Sequence, residues 1–173
     1  MKDDFIMPIL VLALICLVVS GALAATNVVT EPVITSAAEA RAETARYEML
    51  PESTGFERIE ADGLPDTVRE VYRSENGVGF VLIMVTKGYG GDIRIICGMD
   101  NDGRVTKSST LAHNETKGLG SKITELPFES QFAGADSRLS GVSAITGATI
   151  STEAYISAIG DAFAAFEIVR GVR

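Results

Sequence analysis

The sequence predicts an α+β fold in which an antiparallel β-meander is packed with helices and preceded by one N-terminal transmembrane helix. Three observations support this prediction. The 173-residue chain opens with a long uncharged apolar run, its middle alternates short β-branched runs with turn residues, and an apolar helical stripe lies near its end. A meander with short connections, backed by helices, is typical of the α+β class.

Phe5–Ala25 is the predicted membrane anchor. It contains 21 consecutive uncharged residues, of which 18 are apolar, and at about 1.5 Å per residue such a helix covers the roughly 30 Å hydrocarbon core. A cleaved signal peptide is the alternative, because Ala22-Leu23-Ala24 resembles a small-x-small cleavage site. Since the apolar run exceeds the usual ~7–15-residue signal core, we expect an uncleaved anchor. Residues 1–4 then form a cytoplasmic tail, and the remainder lies outside the cytoplasm by default.

Residues 26–66 are predicted to be a spacer and helical linker. Thr26–Thr35 is rich in Thr, Val and Pro, which favours an extended segment. Ala37–Leu50 is rich in Ala, Glu and Arg at helical spacing, and Pro51 is expected to end that helix. The folded domain is then expected over residues 67–173.

The domain begins with the predicted meander and ends with a helix. Turn signals every 10–14 residues separate four predicted strands, namely Val68–Arg73, Val78–Thr86, Asp92–Met99 and Arg104–Leu111. Gly118–Phe132 predicts a loop with a short helix. Ser151–Val169 is the clearest helix, since apolar residues recur at 3-4-3 spacing on one face. That stripe consists of Ile156, Ile159, Phe163 and Phe166.

The composition excludes several classes of function. The formal charge is −8, from 15 Lys and Arg against 23 Asp and Glu, and we expect no nucleic-acid partner because phosphate-backbone binding depends on clustered basic residues. One histidine, His113, and two cysteines are too few for a histidine cluster, a four-cysteine zinc site or an iron–sulfur cluster. No nucleophile-elbow sequence is present, which argues against classical hydrolase chemistry. We therefore expect no metal ligands.

A run of small and hydroxyl-bearing residues, from Ile145 to Thr152, directly precedes the C-terminal helix. The start of a helix presents free N–H groups and the positive end of the dipole, so it can bind a phosphate. Gly147 and Ala148 allow a phosphate to approach the backbone. The hydroxyls that can donate to it or be esterified by it belong to Thr146, Thr149, Ser151 and Thr152. The alternative is that these residues only cap the helix, as Ser and Thr often do.

A second stretch, His113–Gly120, follows the last predicted strand and mixes polar groups with glycines. Such a composition is typical of a loop that faces a ligand. An ordinary irregular loop is the alternative, because a lone histidine is more often structural than catalytic. The residue types alone leave both interpretations open.

Together the two stretches resemble a known family. The patterns His-x-Glu-Thr-x-Gly-Leu-Gly, from His113 to Gly120, and Thr-Gly-Ala-Thr, from Thr146 to Thr149, are similar to those of the FMN-binding domain in the G subunit of the Rnf electron-transport complex. The C subunit of the sodium-pumping NADH:quinone reductase shares that domain. Further matching pieces stand in the same order, namely Gly88-Tyr89-Gly90-Gly91, Asp100-x-Asp102-Gly103 and Pro127-Phe128-x-x-Gln131-Phe132. The resemblance covers about Val68–Phe166, and the N-terminal anchor also fits.

The resemblance implies a covalent cofactor. In that family a flavin transferase joins the phosphate of FMN through a phosphoester to the last threonine of the motif, which is Thr149 here. The other cofactor-binding residues implied are Thr146, Gly147, Ala148, Ser151, Glu115, Thr116, Gly118, Leu119 and Gly120. Among these, Glu115, Thr116 and Leu119 would lie near the ring system.

The chain departs from the family pattern at two positions. Ser143 stands six residues before the modified threonine, where family members usually carry Asp, and this change is expected to make flavin attachment less efficient. Lys117 stands where Pro is common, which loosens the loop and adds a cation close to the flavin.

The function that the resemblance implies is electron transfer. The chain would be the FMN-carrying member of a membrane-bound, ion-translocating oxidoreductase complex, anchored in a bacterial or archaeal cell membrane with its C-terminal domain outside the cytoplasm. Its partners would be other membrane subunits and, during maturation, a flavin transferase. Little activity is expected from the isolated chain, and no side chain is assigned a catalytic role. The alternatives are a stand-alone membrane-anchored flavin electron-transfer protein and a cofactor-free anchored binding module.

Overall fold

The structure is a computed structural model that describes the backbone of residues 3–171 and the side chains of residues 7–31 and 41–171. The chain divides into two compact units, Met1–Glu43 and Thr44–Arg173. The helices and strands are α1 (Asp3–Met49), β1 (Phe56–Ile59), β2 (Val68–Ser74), β3 (Gly79–Lys87), β4 (Asp92–Asp100), β5 (Val105–His113), α2 (Leu126–Glu129) and α3 (Thr149–Val169), with 3-10 turns at Gly120–Thr124 and Ser130–Phe132. This content confirms the predicted α+β class.

The first unit is the N-terminal part of α1. Its stretch Met7–Glu31 is long and apolar enough to cross a membrane, which agrees with the anchor predicted over residues 5–25. Of the tail predicted over residues 1–4, residues 1 and 2 lie outside the described part of the chain.

The extended spacer predicted over Thr26–Thr35 is wrong, because α1 continues through it without a break. The hydroxyl of Thr26 donates to the carbonyl of Ala22, and the hydroxyl of Thr30 donates to the carbonyl of Thr26, each across 2.9 Å. Threonines that bond back to the preceding turn are accommodated inside a helix. The Thr-rich composition therefore does not end it.

Within residues 44–171, one antiparallel sheet of five strands follows the order β1-β2-β3-β4-β5, so each strand pairs with the next in sequence. The predicted meander is confirmed, because β2 to β5 match the predicted strands to within two residues. β1 lies in the segment predicted to be a linker. It has only four residues, with Phe56 opposite Ser74 and Ile59 opposite Val71, and so short a run shows no periodicity in the sequence.

One face of the sheet packs against α3 and forms the main core. Buried side chains of the strands, including Leu82 and Ile95, share one cluster with Ile159 and Phe163 of α3. The ring of Phe166 meets that of Phe80 edge to face, with 5.5 Å between centroids. The predicted apolar stripe thus faces the sheet, which fixes where α3 begins relative to the strand ends.

The opposite face of the sheet is covered in part by the end of α1 and the residue after it. Met49 and Leu50 are buried with Val81, Ile83 and Ile96. The hydroxyl of Thr106 on β5 also donates to the carbonyl of Met49, across 2.8 Å. The end of the helix predicted over residues 37–50 therefore belongs to the folded domain.

The free edge of β5 is covered by the segment that follows it. The carboxylate of Glu129 accepts a hydrogen bond of 2.7 Å from the backbone N–H of Thr110 and another from the hydroxyl of Ser109. Burial raises the pKa of Glu129 above its usual value. Further along, the N–H of Val105 donates to Ala135 and the N–H of Gly134 donates to Val105. Covering an edge in this way blocks pairing with another strand.

Candidate functional site

The two predicted stretches meet at a pocket of about 360 Å³ beside the start of α3. The pocket is lined by Tyr89, Glu115, Thr116, Leu119, Gly120, Gly147, Ala148, Thr149, Ile150 and Ser151. Most of the predicted site residues are therefore brought together. Thr146 and Gly118 are not among the lining residues, although each is a chain neighbour of one that is.

Tyr89 and Ile150 line the pocket but are absent from the predicted site. Their side chains are 73% and 56% exposed, so each presents an apolar surface to solvent at the pocket. Tyr89 sits inside the glycine-rich turn Gly88–Gly91, which the sequence marks as a turn without indicating what it faces. Ile150 lies between the threonine motif and the predicted helix, and its side chain is neither small nor hydroxyl-bearing.

Thr149 is the first residue of α3, which begins two residues earlier than the sequence predicts. Ala148 precedes it as the N-cap, and no side chain caps the first turn. The first backbone N–H groups of a helix have no partner within the helix and attract anions. Thr149 is exposed at this point, so its hydroxyl is accessible where a phosphate would be stabilised.

The hydroxyls predicted to serve a phosphate differ in availability. Ser151 donates to a carboxylate oxygen of Glu115 across 2.7 Å, and Thr152 is buried and donates to the carbonyl of Ala148 across 2.6 Å. Thr146 and Thr149 are exposed. Of this set, the structure therefore places Thr149 alone at the pocket with its hydroxyl accessible, within the part of the chain described.

Gly147 occupies a conformation that favours glycine, with φ of +85°. A Cβ added there would lie 3.4 Å from Cδ2 of Leu119. A substitution would therefore be unfavourable because of the backbone conformation more than because of a steric contact. The left-handed turn at Gly147 leads the chain into Ala148 and then into α3. It thereby sets the direction from which the backbone approaches the pocket.

Glu115 joins three separate parts of the site. Its side chain is buried, with Oε2 accepting from the hydroxyl of Ser151 across 2.7 Å and Oε1 accepting from the backbone N–H of Gly90 across 3.1 Å. A Cβ placed on Gly88 would overlap Oε1, and one placed on Gly120 would overlap Oε2. These glycines let the backbone pack directly on the carboxylate.

The loop after β5 contains a hydrogen-bonded turn over residues 117–119. Nδ1 of His113 accepts from the N–H of Glu115 across 3.1 Å, so His113 has a structural contact within its own loop. The carbonyl of Thr116 accepts from the N–H groups of Leu119 and Ser121. Lys117 is exposed and is not among the pocket-lining residues.

Ser143 lies on the exposed segment that leads to the threonine motif. Its backbone N–H donates to Oε1 of Gln131 across 2.8 Å. The side chain of Gln131 thus holds this segment in place, while the hydroxyl of Ser143 remains on the surface.

Two further kinds of site can be considered in the described residues, a metal-binding cluster and a reactive cysteine. Among the described residues, no group of three or more His, Cys, Asp or Glu side chains could hold a metal ion. Cys97 is fully buried, and burial raises the pKa of its thiol to about 12. The Cys97 thiol is therefore protonated at neutral pH and acts as a small apolar side chain.

Comparison with known proteins shows which family this chain resembles. The sequence matches the FMN-binding domain family over residues 88–164. It is 31% identical over 178 residues to the G subunit of the Na(+)-translocating ferredoxin:NAD(+) oxidoreductase complex of Acetobacterium woodii, covering 87% of this chain and 86% of that protein. It is 35% identical over 133 residues to the G subunit of the ion-translocating oxidoreductase complex of Methanosarcina acetivorans, covering 68% of this chain and 71% of that protein.

A solved structure is also similar to this chain. It is NqrC of Shewanella oneidensis, which aligns with a TM-score of 0.48 at 18% sequence identity, over 66% of this chain and 67% of that one.

Proposed function

This chain belongs to the family formed by the G subunits of ion-translocating oxidoreductase complexes and contains the FMN-binding domain; from that premise we propose that it carries electrons within such a complex through FMN joined covalently to Thr149. The single observation that carries the proposal is the position of Thr149, exposed at the first residue of α3 and lining the pocket.

The pocket has the size and surface that a flavin requires. Its volume of about 360 Å³ falls in the usual range of about 300–1,000 Å³ for small-molecule sites. Tyr89, Leu119 and Ile150 give it an apolar wall with exposed side chains, which suits a flat aromatic ring system. The residues present therefore fit FMN.

The phosphate end of the cofactor is matched by the start of α3. Backbone N–H groups of the first helical turn stabilise a negatively charged phosphoester, and Gly147 lets the backbone approach it closely. In the attachment step, Oγ of Thr149 would form a bond to the flavin-side phosphorus of a flavin dinucleotide donor while the bond from that phosphorus to the bridging oxygen of the diphosphate breaks. The nucleoside monophosphate would leave with the bonding electrons, and the hydroxyl proton would be released to solvent. Relative to its unmodified form, the chain gains the mass of FMN less water.

The chemistry of electron transfer belongs to the cofactor, since FMN when bound accepts and donates electrons. The residues of this chain bind and orient it. Leu119 and Ile150 would shield the flavin ring from water, and the bond to Thr149 would prevent the cofactor from dissociating. No side chain is required to act as an acid or a base.

The proposal places the chain among other membrane subunits. The relatives named above are subunits of ferredoxin:NAD(+) or ion-translocating oxidoreductase complexes, and α1 has a stretch long enough to cross a membrane once. We propose that residues 5–25 anchor the chain in a bacterial or archaeal cell membrane, that the folded domain lies outside the cytoplasm, and that a flavin transferase loads it. Little activity is expected from the isolated chain.

The test is coexpression of the full chain with a flavin transferase. The wild-type protein should fluoresce on a denaturing gel and gain the mass of FMN less water. Thr149→Val should abolish both signals, because valine has no hydroxyl to esterify. Thr124→Val is the matched control, since Thr124 is exposed and is not among the pocket-lining residues, and it should leave both signals in place. If the wild-type chain shows no fluorescence when coexpressed with an active transferase, covalent attachment is refuted and a cofactor-free module is favoured.

Recovery of the chain from native membranes separates the complex from a stand-alone carrier. A chain that belongs to a complex should copurify with other redox membrane proteins after mild detergent extraction. Recovery of the flavinylated chain alone would contradict the proposed complex while preserving the flavin site.

A further inference from the structure

Glu115 has a buried carboxylate whose partners come from distant parts of the chain. The hydrogen bond to Gly90 joins residues 25 positions apart, and the bond to Ser151 joins residues 36 positions apart. Only 7% of the residue is exposed. One side chain therefore connects the Gly88–Gly91 turn, the loop after β5 and the first turn of α3.

We propose that Glu115 is a positioning residue that holds the pocket in its flavin-accepting shape before any flavin is attached. This inference rests on the proposed function and concerns a step that precedes electron transfer. Glu115 touches the protein segments that carry Thr149 and Tyr89, and acts on the cofactor through them.

The bond to Ser151 holds the first turn of α3 against the loop after β5. Successive residues of a helix are rotated by about 100°, so anchoring Ser151 on the inner side sets the direction of Thr149 two residues earlier. Ser151 is buried and Thr149 is exposed, as this geometry requires. Without the anchor, the first turn has no side-chain cap to hold it.

The bond to Gly90 holds the turn that carries Tyr89, another residue that lines the pocket. Gly88 and Gly90 flank Tyr89, and the carboxylate of Glu115 both accepts from Gly90 and fills the space beside Gly88. Any side chain on Gly88 would displace this carboxylate. One buried carboxylate therefore contacts both the turn that carries Tyr89 and the first turn of α3.

Glu129 provides a matched control inside the same domain. Its carboxylate also accepts from a backbone N–H and from a serine hydroxyl, and it is also partly desolvated. Glu129 holds the edge of β5 and is not among the residues that line the pocket. A loss of stability alone would affect variants of both glutamates alike.

The first measurement uses full-length chain in detergent without flavin. Hydrogen–deuterium exchange is compared in wild type, Glu115→Ala, Glu115→Gln and Glu129→Ala. We expect Glu115→Ala to increase exchange in the Gly88–Gly91 turn and in the first turn of α3, and Glu129→Ala to increase it along β5 instead. Unchanged exchange at both pocket segments in Glu115→Ala would overturn the proposal, whether or not the chain accepts flavin.

The second measurement is the initial rate of flavin attachment per folded molecule, with purified transferase. Misplacing a reacting group by about 1 Å costs up to roughly 100-fold in rate, so we expect Glu115→Ala to be slowed by about ten- to a hundredfold. Glu115→Gln should stay within a few-fold of wild type, because its amide oxygen can accept from Gly90 and its NH₂ can donate to Ser151. Glu129→Ala should keep the wild-type rate.

The outcomes separate this inference from the proposed function. If wild type accepts flavin and Glu115→Ala does so equally fast, the positioning role is refuted. If Glu115→Gln is as slow as Glu115→Ala, charge rather than position is responsible and the inference fails. If wild type itself stays unlabelled, the covalent flavin is refuted, and the exchange measurement alone decides the role of Glu115.

Discussion

The hydroxyl of Ser151 donates to Oε2 of Glu115 across 2.7 Å, which joins the first turn of α3 to the loop after β5. Glu115 belongs to one of the two patterns that resemble a flavin-binding family, Ser151 follows the other by two residues, and both line the pocket. Their side chains are hydrogen-bonded directly to each other. Glu115 therefore contributes to the architecture of the pocket through a contact within the protein.

Ser151→Ala should destabilise the domain by about 1–3 kcal/mol, because it leaves a buried carboxylate oxygen without its hydroxyl donor. Ser157→Ala on the same helix is the control, since Ser157 is exposed and its loss should be nearly neutral. Urea unfolding of the two variants, followed by circular dichroism, gives the difference directly. Equal stabilities would contradict an energetic role for the bond.

Gly147→Ala should cost about 1–2 kcal/mol, because φ of +85° lies in a region that side chains with a Cβ disfavour. Gly160→Ala makes the same chemical change within α3, where nothing lies within 4 Å of the added Cβ. That control should instead stabilise the protein by about 0.5–1 kcal/mol. Thermal unfolding should therefore shift in opposite directions for the two variants, and a shift in the same direction would show that the turn at Gly147 is not required.

Ser143→Asp should accelerate flavin attachment. The family resemblance places an acidic residue at this position, Ser143 is exposed, and its backbone is already held by Gln131. A carboxylate would therefore be presented to the transferase without a change of fold. Ser140→Asp adds the same charge at another exposed position and should leave the rate unchanged. A fluorescence time course compares the two variants, and equal acceleration by both would indicate a general charge effect.

A chain that begins at Thr44 should fold, whereas one that begins at Pro51 should be strongly destabilised. The shorter chain lacks Met49 and Leu50, which are buried against Val81 and other residues of the sheet. Burial of each such side chain contributes about 1.5–3 kcal/mol. Unfolding midpoints measure the difference, and binding of a hydrophobic dye should rise in the shorter chain. Identical midpoints would mean that the end of α1 contributes nothing to the domain.

The stability of the domain should fall as the pH rises through the titration of Glu129. Burial raises the pKa of this group above its usual value of 4.5, so the folded state holds its proton to higher pH than the unfolded state does. The folded form is then favoured at low pH, and this contribution is lost as the pH passes the raised pKa. Glu129→Gln cannot titrate, so its stability relative to wild type should increase between pH 4.5 and neutrality. Denaturation at several pH values checks this, and a constant difference would refute it.

The periodic elements of the fold could be predicted because their signals are local. The stripe that includes Ile159 and Phe163 marks the buried face of α3, and the alternation of strands with glycine-containing turns marks the meander. β1 could not be predicted because its four residues are too few to show the alternation of apolar and polar residues that marks a strand. The prediction of an extended segment over Thr26–Thr35 is wrong because the hydroxyls of Thr26 and Thr30 bond within α1, a contact that composition does not reveal.

Most of the residues that line the candidate pocket could be predicted from the sequence, but the contacts among them could be predicted only in part. Thr149 and Leu119 line the pocket as expected. Tyr89 was missed because its turn and the loop after β5 meet only in three dimensions. The role of Ser151 was expected to be donation to a phosphate, whereas in the structure it donates to Glu115. Such pairings depend on the tertiary fold and leave no spacing pattern in the sequence.

The covering of β5 by Glu129 and Gly134 also restricts how neighbouring subunits can approach the domain. A protein that recognises an open sheet edge does so by adding a strand, using main-chain groups that are almost independent of sequence. Along β5, the N–H groups of Val105 and Thr110 already have acceptors within the described residues. A neighbouring protein that binds beside β5 would therefore contact side chains rather than these backbone groups. Such a contact would depend on the amino-acid sequence of this surface.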